Sequence, residues 1–245
     1  MTVFSCVSYA LIAYGPATAL ILVTQYRYAE QVLIMLVCGF IWLISLFLSS
    51  LIWTAVPPLR NIPAFTLPFS VILQELARCI TFIITKKLSN KFSNPDTRYR
   101  HQLAYSAGAG FGVASGLFMF LNVLKSSLGP GVVGLRGSWS YPQFILTSAL
   151  LTCAFTLLHI PWSVILFDAC YRRKWFLLFI TPISHLILSS LTLLNSSITV
   201  WPSLLAAYVL LLVLTVLAFK TAGGNFINTT KICSKKLPRD SPSIQ

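Results

Sequence analysis

The sequence predicts an all-α, polytopic membrane protein with seven transmembrane helices. Three observations carry that reading. Of 245 residues, 56% are apolar and only 9% charged, whereas a soluble domain carries about 25% charged residues. Apolar blocks at 3–23, 32–56, 64–85, 103–124, 145–168, 175–195 and 202–219 approach the roughly 20 residues that a spanning helix needs. Finally, the alternating segments of about ten residues that a membrane β-barrel requires are absent. In hydrocarbon every backbone polar group must be paired internally, so these blocks are expected to be helical.

The first block begins at Val3 with no Lys or Arg before it, and Arg27 follows it. A cleaved leader would need a basic start, so the block is expected to stay as a helix with its N-terminus translocated. Placing the N-terminus on the lumenal or extracellular face puts fourteen of the 18 Lys and Arg on the cytoplasmic side and three outside. The bias of Lys and Arg toward the inside selects that orientation. Residues 1–219 then form one membrane domain, and 220–245 a basic cytoplasmic tail.

Net charge is +13. In a soluble chain that excess would suggest nucleic acid. Here the basic residues cluster in short connections, which points to topology and anionic lipid, with no nucleic-acid partner. The six cysteines show no CxxC pair and no disulfide framework. Asn195-Ser196-Ser197 is a glycosylation sequon on the expected outside, close to the membrane.

Within the fourth block, Gly108, Gly112 and Gly116 recur every four residues, with Gly110 between them. That spacing puts three glycines on one helix face and lets another helix approach backbone to backbone. The spacing alone leaves two readings open: a docking face for a partner protein, or packing against another helix of the same chain.

Five groups able to carry charge lie in or at the ends of the blocks: Glu75, Arg78, His159, Asp168 and His185. A charge at a helix centre costs roughly 2.5–3.5 kcal/mol on insertion scales, so such residues are functional candidates. Glu75 and Arg78 are three apart on one face, where they would pair, or Arg78 would snorkel toward the headgroups. Asp168 is expected to be solvated or paired beside Arg172 and Arg173. His159 and His185 sit at similar depth on consecutive helices. They suit polar links between helices, or a cavity or partner contact, better than a metal site, which would want more ligands. Pro161 removes a backbone hydrogen bond and is expected to bend the fifth helix near His159.

Catalytic motifs are missing. There is no HExxH and no GxSxG, and one Asp near the membrane falls short of the two an intramembrane aspartyl protease uses. No cofactor is implied. A stand-alone transporter or receptor with an internal polar cavity is the alternative, favoured by the discontinuity at Gly15-Pro16 and the buried polar residues.

A set of longer motifs then resembles one family, the anterior-pharynx-defective (APH) subunit of γ-secretase. They are YGPATAL at 14–20, GFIWLISLFLSSLIW at 39–53, QELAR at 74–78, the glycine ladder at 108–116, LGPGVVGLRG at 128–137, LLHIPWSVILFDAC at 157–170, SHLILSSLTLLN at 184–195 and AFKTAGG at 218–224. The resemblance implies a non-catalytic scaffold in the endoplasmic reticulum, Golgi and plasma membrane. It would assemble with nicastrin, presenilin and the presenilin enhancer subunit. The substrates of the whole complex would be single-pass proteins such as Notch and the amyloid precursor. By the same resemblance, Gly108, Gly112 and Gly116 support assembly, and His159 and His185 influence presenilin maturation. The 86–102 connection and the tail look shorter than in many members.

Overall fold

The computed structural model describes residues 3–57, 62–91, 97–128, 141–195 and 200–224. Among them lie seven helices and no strand: α1 (Val3–Thr24), α2 (Ala29–Ala55), α3 (Pro63–Lys91), α4 (Thr97–Leu128), α5 (Tyr141–Arg172), α6 (Trp175–Thr192) and α7 (Val200–Thr221). Each is long and apolar enough to cross a membrane. The segment 129–140, the second half of the Asn195 sequon and nearly all of the 220–245 tail lie outside the described residues.

Several helices outrun their apolar blocks. The connection expected at 86–102 is largely helical, because α3 continues to Lys91 and α4 starts at Thr97. Hydropathy marks only the stretch in hydrocarbon. A helix carries on past it where Lys and Arg side chains reach polar surroundings on apolar stems. The short seventh block likewise grows to 22 residues.

Two proline-containing stretches lie within unbroken helices. Helix α1 runs through Gly15-Pro16, which removes the discontinuity that favoured a transporter. Helix α5 runs through Pro161. The missing amide there frees only one carbonyl, and 32 residues of packed helix hold the rest.

The bundle is built around α5. Of its most apolar window 89% is buried, against 17% for α1 and for α6. Helix α4 packs most extensively on α5 and next on α2. The exposed Leu, Ile, Val and Phe of α1, α2, α6 and α7 face outward, as lipid-facing surfaces require.

Glycine sets the closeness of α4. A Cβ built on Gly108 would stand 2.6 Å from the His159 carbonyl oxygen and 2.7 Å from the Ile160 Cα. On Gly112 it would run into the Thr156 carbonyl, and on Gly116 into the Thr156 hydroxyl. Of the two readings the spacing left open, the structure has the intrachain one: the ladder's face is covered by α5. Gly110 looks the other way, toward Met35 and Gly39 of α2. Helix α4 is therefore pinched between two backbones.

The helix ends explain one motif. In AFKTAGG, Gly223 adopts φ 86°, and the Gly224 amide donates to the Phe219 carbonyl at 2.9 Å. This is a left-handed cap closing α7. Arg173 holds the same kind of position after α5 at φ 55°, with the Lys174 amide donating to the Ala169 carbonyl at 3.0 Å.

Candidate functional site: a buried polar network beside a cavity

Glu75 and Arg78 project from α3 toward α5 and α6, where His159 and His185 wait. All four side chains are buried, and Arg78 is 0% exposed. That burial excludes the snorkelling alternative. An arginine in the interior of a membrane bundle needs a partner for each donor, and this one has five. Its Nε donates to Glu75 Oε2 at 3.2 Å. Nη1 donates to the His159 carbonyl at 3.2 Å and to Ser163 Oγ at 2.6 Å. Nη2 donates to Glu75 Oε1 at 3.3 Å and meets His159 Nδ1 at 2.8 Å. Every N–H of the guanidinium is used.

The geometry assigns the imidazole protons. Guanidinium has no acceptor, so His159 Nδ1 must accept, and the ring carries its proton on Nε2. His185 Nδ1 lies 2.7 Å from Glu75 Oε1. A carboxylate paired with arginine accepts, so His185 Nδ1 donates. The network then links three helices through one carboxylate, one guanidinium and two imidazoles.

Aromatic groups seal it. The guanidinium carbon of Arg78 sits 4.9 Å above the Phe111 ring of α4. Trp162 stacks on His185 with centroids 4.4 Å apart and donates through Nε1 to Ser184 Oγ at 2.9 Å. His159 meets His185 edge-on at 5.7 Å.

On one side the two histidines line a cavity of about 330 Å³ among α2 to α6, together with Trp42, Gln74, Ser115 and Ser189. Both Nδ1 atoms are engaged in the network, so Nε2 is the ring atom each has left. The Trp42 indole N–H donates to Gln74 Oε1 at 3.2 Å on the same wall.

Four of the five charge-bearing residues picked out from the sequence, Glu75, Arg78, His159 and His185, therefore converge. Gly108 and Gly112 belong to the same place, because they abut the Thr156–Ile160 turn that carries His159. Asp168 does not belong. It lies nine residues further along α5, about 14 Å away along the axis, and pairs with Arg172 Nε at 2.8 Å. Sequence reading missed Ser163, Trp162 and Phe111. The first two carried a signal, standing three and four residues after His159 on the same helix face. Phe111 had none, since its role depends on how α4 docks.

The carboxylates of Glu75 and Asp168 are both engaged by basic partners. Glu75 accepts from both Arg78 and His185, and Asp168 is held by Arg172 with His101 Nε2 at 3.9 Å. Among the described residues no three His, Cys, Asp or Glu side chains form a metal-binding group.

The family profile described as Aph-1 protein matches residues 4–225. The chain belongs to the Aph-1 family. It is 37% identical to gamma-secretase subunit APH-1B of Mus musculus over 243 residues, covering 94% of this chain and 91% of that one. Gamma-secretase subunit Aph-1 of Drosophila melanogaster is 38% identical over 226 residues, covering 90% and 92%. A more distant relative, gamma-secretase subunit APH1-like of Arabidopsis thaliana, is 31% identical over 208 residues, covering 80% and 83%.

Proposed function

We propose that this Aph-1 chain is a non-catalytic scaffold subunit of γ-secretase. In this reading it supports assembly and stabilisation of presenilin, together with nicastrin and the presenilin enhancer subunit. The complex then cleaves single-pass membrane proteins such as Notch and the amyloid precursor protein. The N-terminus faces the lumen and the C-terminus the cytoplasm, in the endoplasmic reticulum, Golgi and plasma membrane.

One observation supports the non-catalytic part: the Glu75–Arg78 ion pair is satisfied inside the chain. Arg78 spends all five donors inside the chain, and Glu75 accepts from two residues. Such an ion pair joins helices. The names of the relatives, each a gamma-secretase subunit, support the rest. The glycine ladder acts on partners indirectly, by fixing the shape of α4 and α5.

The test is expression of this chain in cells that lack their own Aph-1. Restored presenilin processing, together with co-purification of nicastrin, is the expected result. A chain that purifies alone and hydrolyses peptide unaided would overturn the reading. The cavity is what favours the transporter or receptor alternative, which requires saturable small-molecule binding by the isolated chain.

A further inference from the structure

At one end of the bundle two cations converge on a single ring. Lys86 of α3 places Nζ 5.9 Å from the Tyr171 ring centroid, and Arg100 of α4 places its guanidinium carbon 4.8 Å from the same centroid. Their charges are therefore within about 11 Å of each other, close to the Debye length of roughly 10 Å at 0.1 M salt. Lys86 also lies over Phe82, which packs on Tyr171 with centroids 5.0 Å apart. The aromatic pair orders two like charges that would otherwise spread apart.

Neither cation is balanced by a described acid. The chain has five Asp and Glu, of which Asp96 and Asp240 lie outside the described residues. Glu75 is enclosed by Arg78 and His185, Asp168 is held by Arg172, and Glu30 accepts from the Tyr99 hydroxyl at 2.9 Å. Between Lys86 and Arg100 the sequence supplies five basic residues and one acid, Asp96. The first turn of α4 contains no acid, although a helix start favours negative charge.

The place matches a headgroup layer. Lys86, Arg100 and Tyr171 each sit within four residues of an end of an apolar span. Exposed Tyr26, Tyr28 and Trp175 lie in or next to the turns that join α1 to α2 and α5 to α6. Tyrosine and tryptophan favour the headgroup level.

We infer that Lys86 and Arg100, held against Tyr171, form a site for the phosphate of an anionic membrane phospholipid at the α3–α4 end of the bundle. Lysine supplies a point charge and arginine a planar fork to the same phosphate-bearing headgroup. The acyl chains would lie along the apolar outer surface.

Native mass spectrometry of the full chain in detergent, titrated with phosphatidylserine, tests the site. At roughly 1 kcal/mol per basic residue near an anionic lipid, Lys86→Gln/Arg100→Gln weakens binding of the tightest lipid about 30-fold. Lys174→Gln/Lys220→Gln removes equal charge near the same end and leaves that affinity within about three-fold of the parent, a loss under roughly 1 kcal/mol. Phosphatidylcholine binds weakly to both, and excess inorganic phosphate does not displace phosphatidylserine. Should the double variant fail to fold, each single variant is expected to lose about five-fold. Equal losses in the two double variants, or unchanged binding in Lys86→Gln and Arg100→Gln, would overturn the site. Displacement by free phosphate, or by an acidic peptide at equal concentration, would overturn its assignment to lipid.

Discussion

The His159 carbonyl oxygen lies only 2.6 Å from where a Cβ on Gly108 would stand, and it also accepts from Arg78 Nη1 at 3.2 Å. One backbone atom thus joins the glycine ladder to the polar network. Enlarging Gly108 pushes α5 away from α4 and moves His159 relative to Arg78. The expected cost of Gly108→Ala is about 1–3 kcal/mol, the usual range for overpacking, read as a lower thermal midpoint in detergent. Gly15 provides the contrast, because a Cβ there meets nothing within 4 Å. Gly15→Ala should leave the midpoint unchanged or raise it slightly.

Both histidines use Nδ1, at 2.8 Å to Arg78 and 2.7 Å to Glu75. The amide of asparagine places its O or N near the position of Nδ1, whereas glutamine reaches toward Nε2. His159→Asn and His185→Asn are therefore expected to retain more stability than the corresponding Gln or Ala variants. Ranking the three substitutions at each position by thermal midpoint checks this directly. Equal losses for Asn and Ala would remove the Nδ1 assignment.

Breaking the ion pair from one side leaves an uncompensated buried charge. Arg78→Met and Glu75→Gln should each destabilise by about 3–5 kcal/mol. The double variant should lose less than the two together, because the pair acts as a unit. A double-mutant cycle on thermal midpoints measures the difference. Strict additivity would show that the two side chains do not share the contact seen at 3.2 Å.

Much of this was legible in the sequence. Apolar blocks located all seven helices, since lipid penalises any other backbone arrangement. Glu75, Arg78, His159 and His185 stood out as polar groups in apolar runs. What the sequence withheld was adjacency. Nothing in the residues says that α3 meets α5 and α6, so whether Arg78 snorkels or stays paired with Glu75 was left undecided. The ladder's partner was open for the same reason: spacing identifies a bare face but not the helix that covers it. Helix ends were misplaced where Lys86–Lys91 and Thr97–Gln102 continue α3 and α4 beyond hydrocarbon, because hydropathy reports solvent and not backbone conformation.

Arg173 carries a separate expectation. A non-glycine residue at φ 55° costs roughly 1 kcal/mol. Arg173→Gly should relieve that strain and raise the thermal midpoint modestly, provided the adjacent Arg172–Asp168 pair at 2.8 Å stays intact. A lowered midpoint would mean that the Arg173 side chain holds the α5–α6 turn through its charge.

The central claim is that the network holds helices together and performs no chemistry. The most direct measurement is presenilin processing in cells lacking Aph-1, supplied with His159→Asn/His185→Asn or with His159→Ala/His185→Ala. The Asn pair, which preserves the hydrogen bonds without an imidazole, is expected to restore processing substantially, and the Ala pair to fail. Equal failure of both, with each protein folded and abundant, would contradict the claim, because the ring itself would then be required.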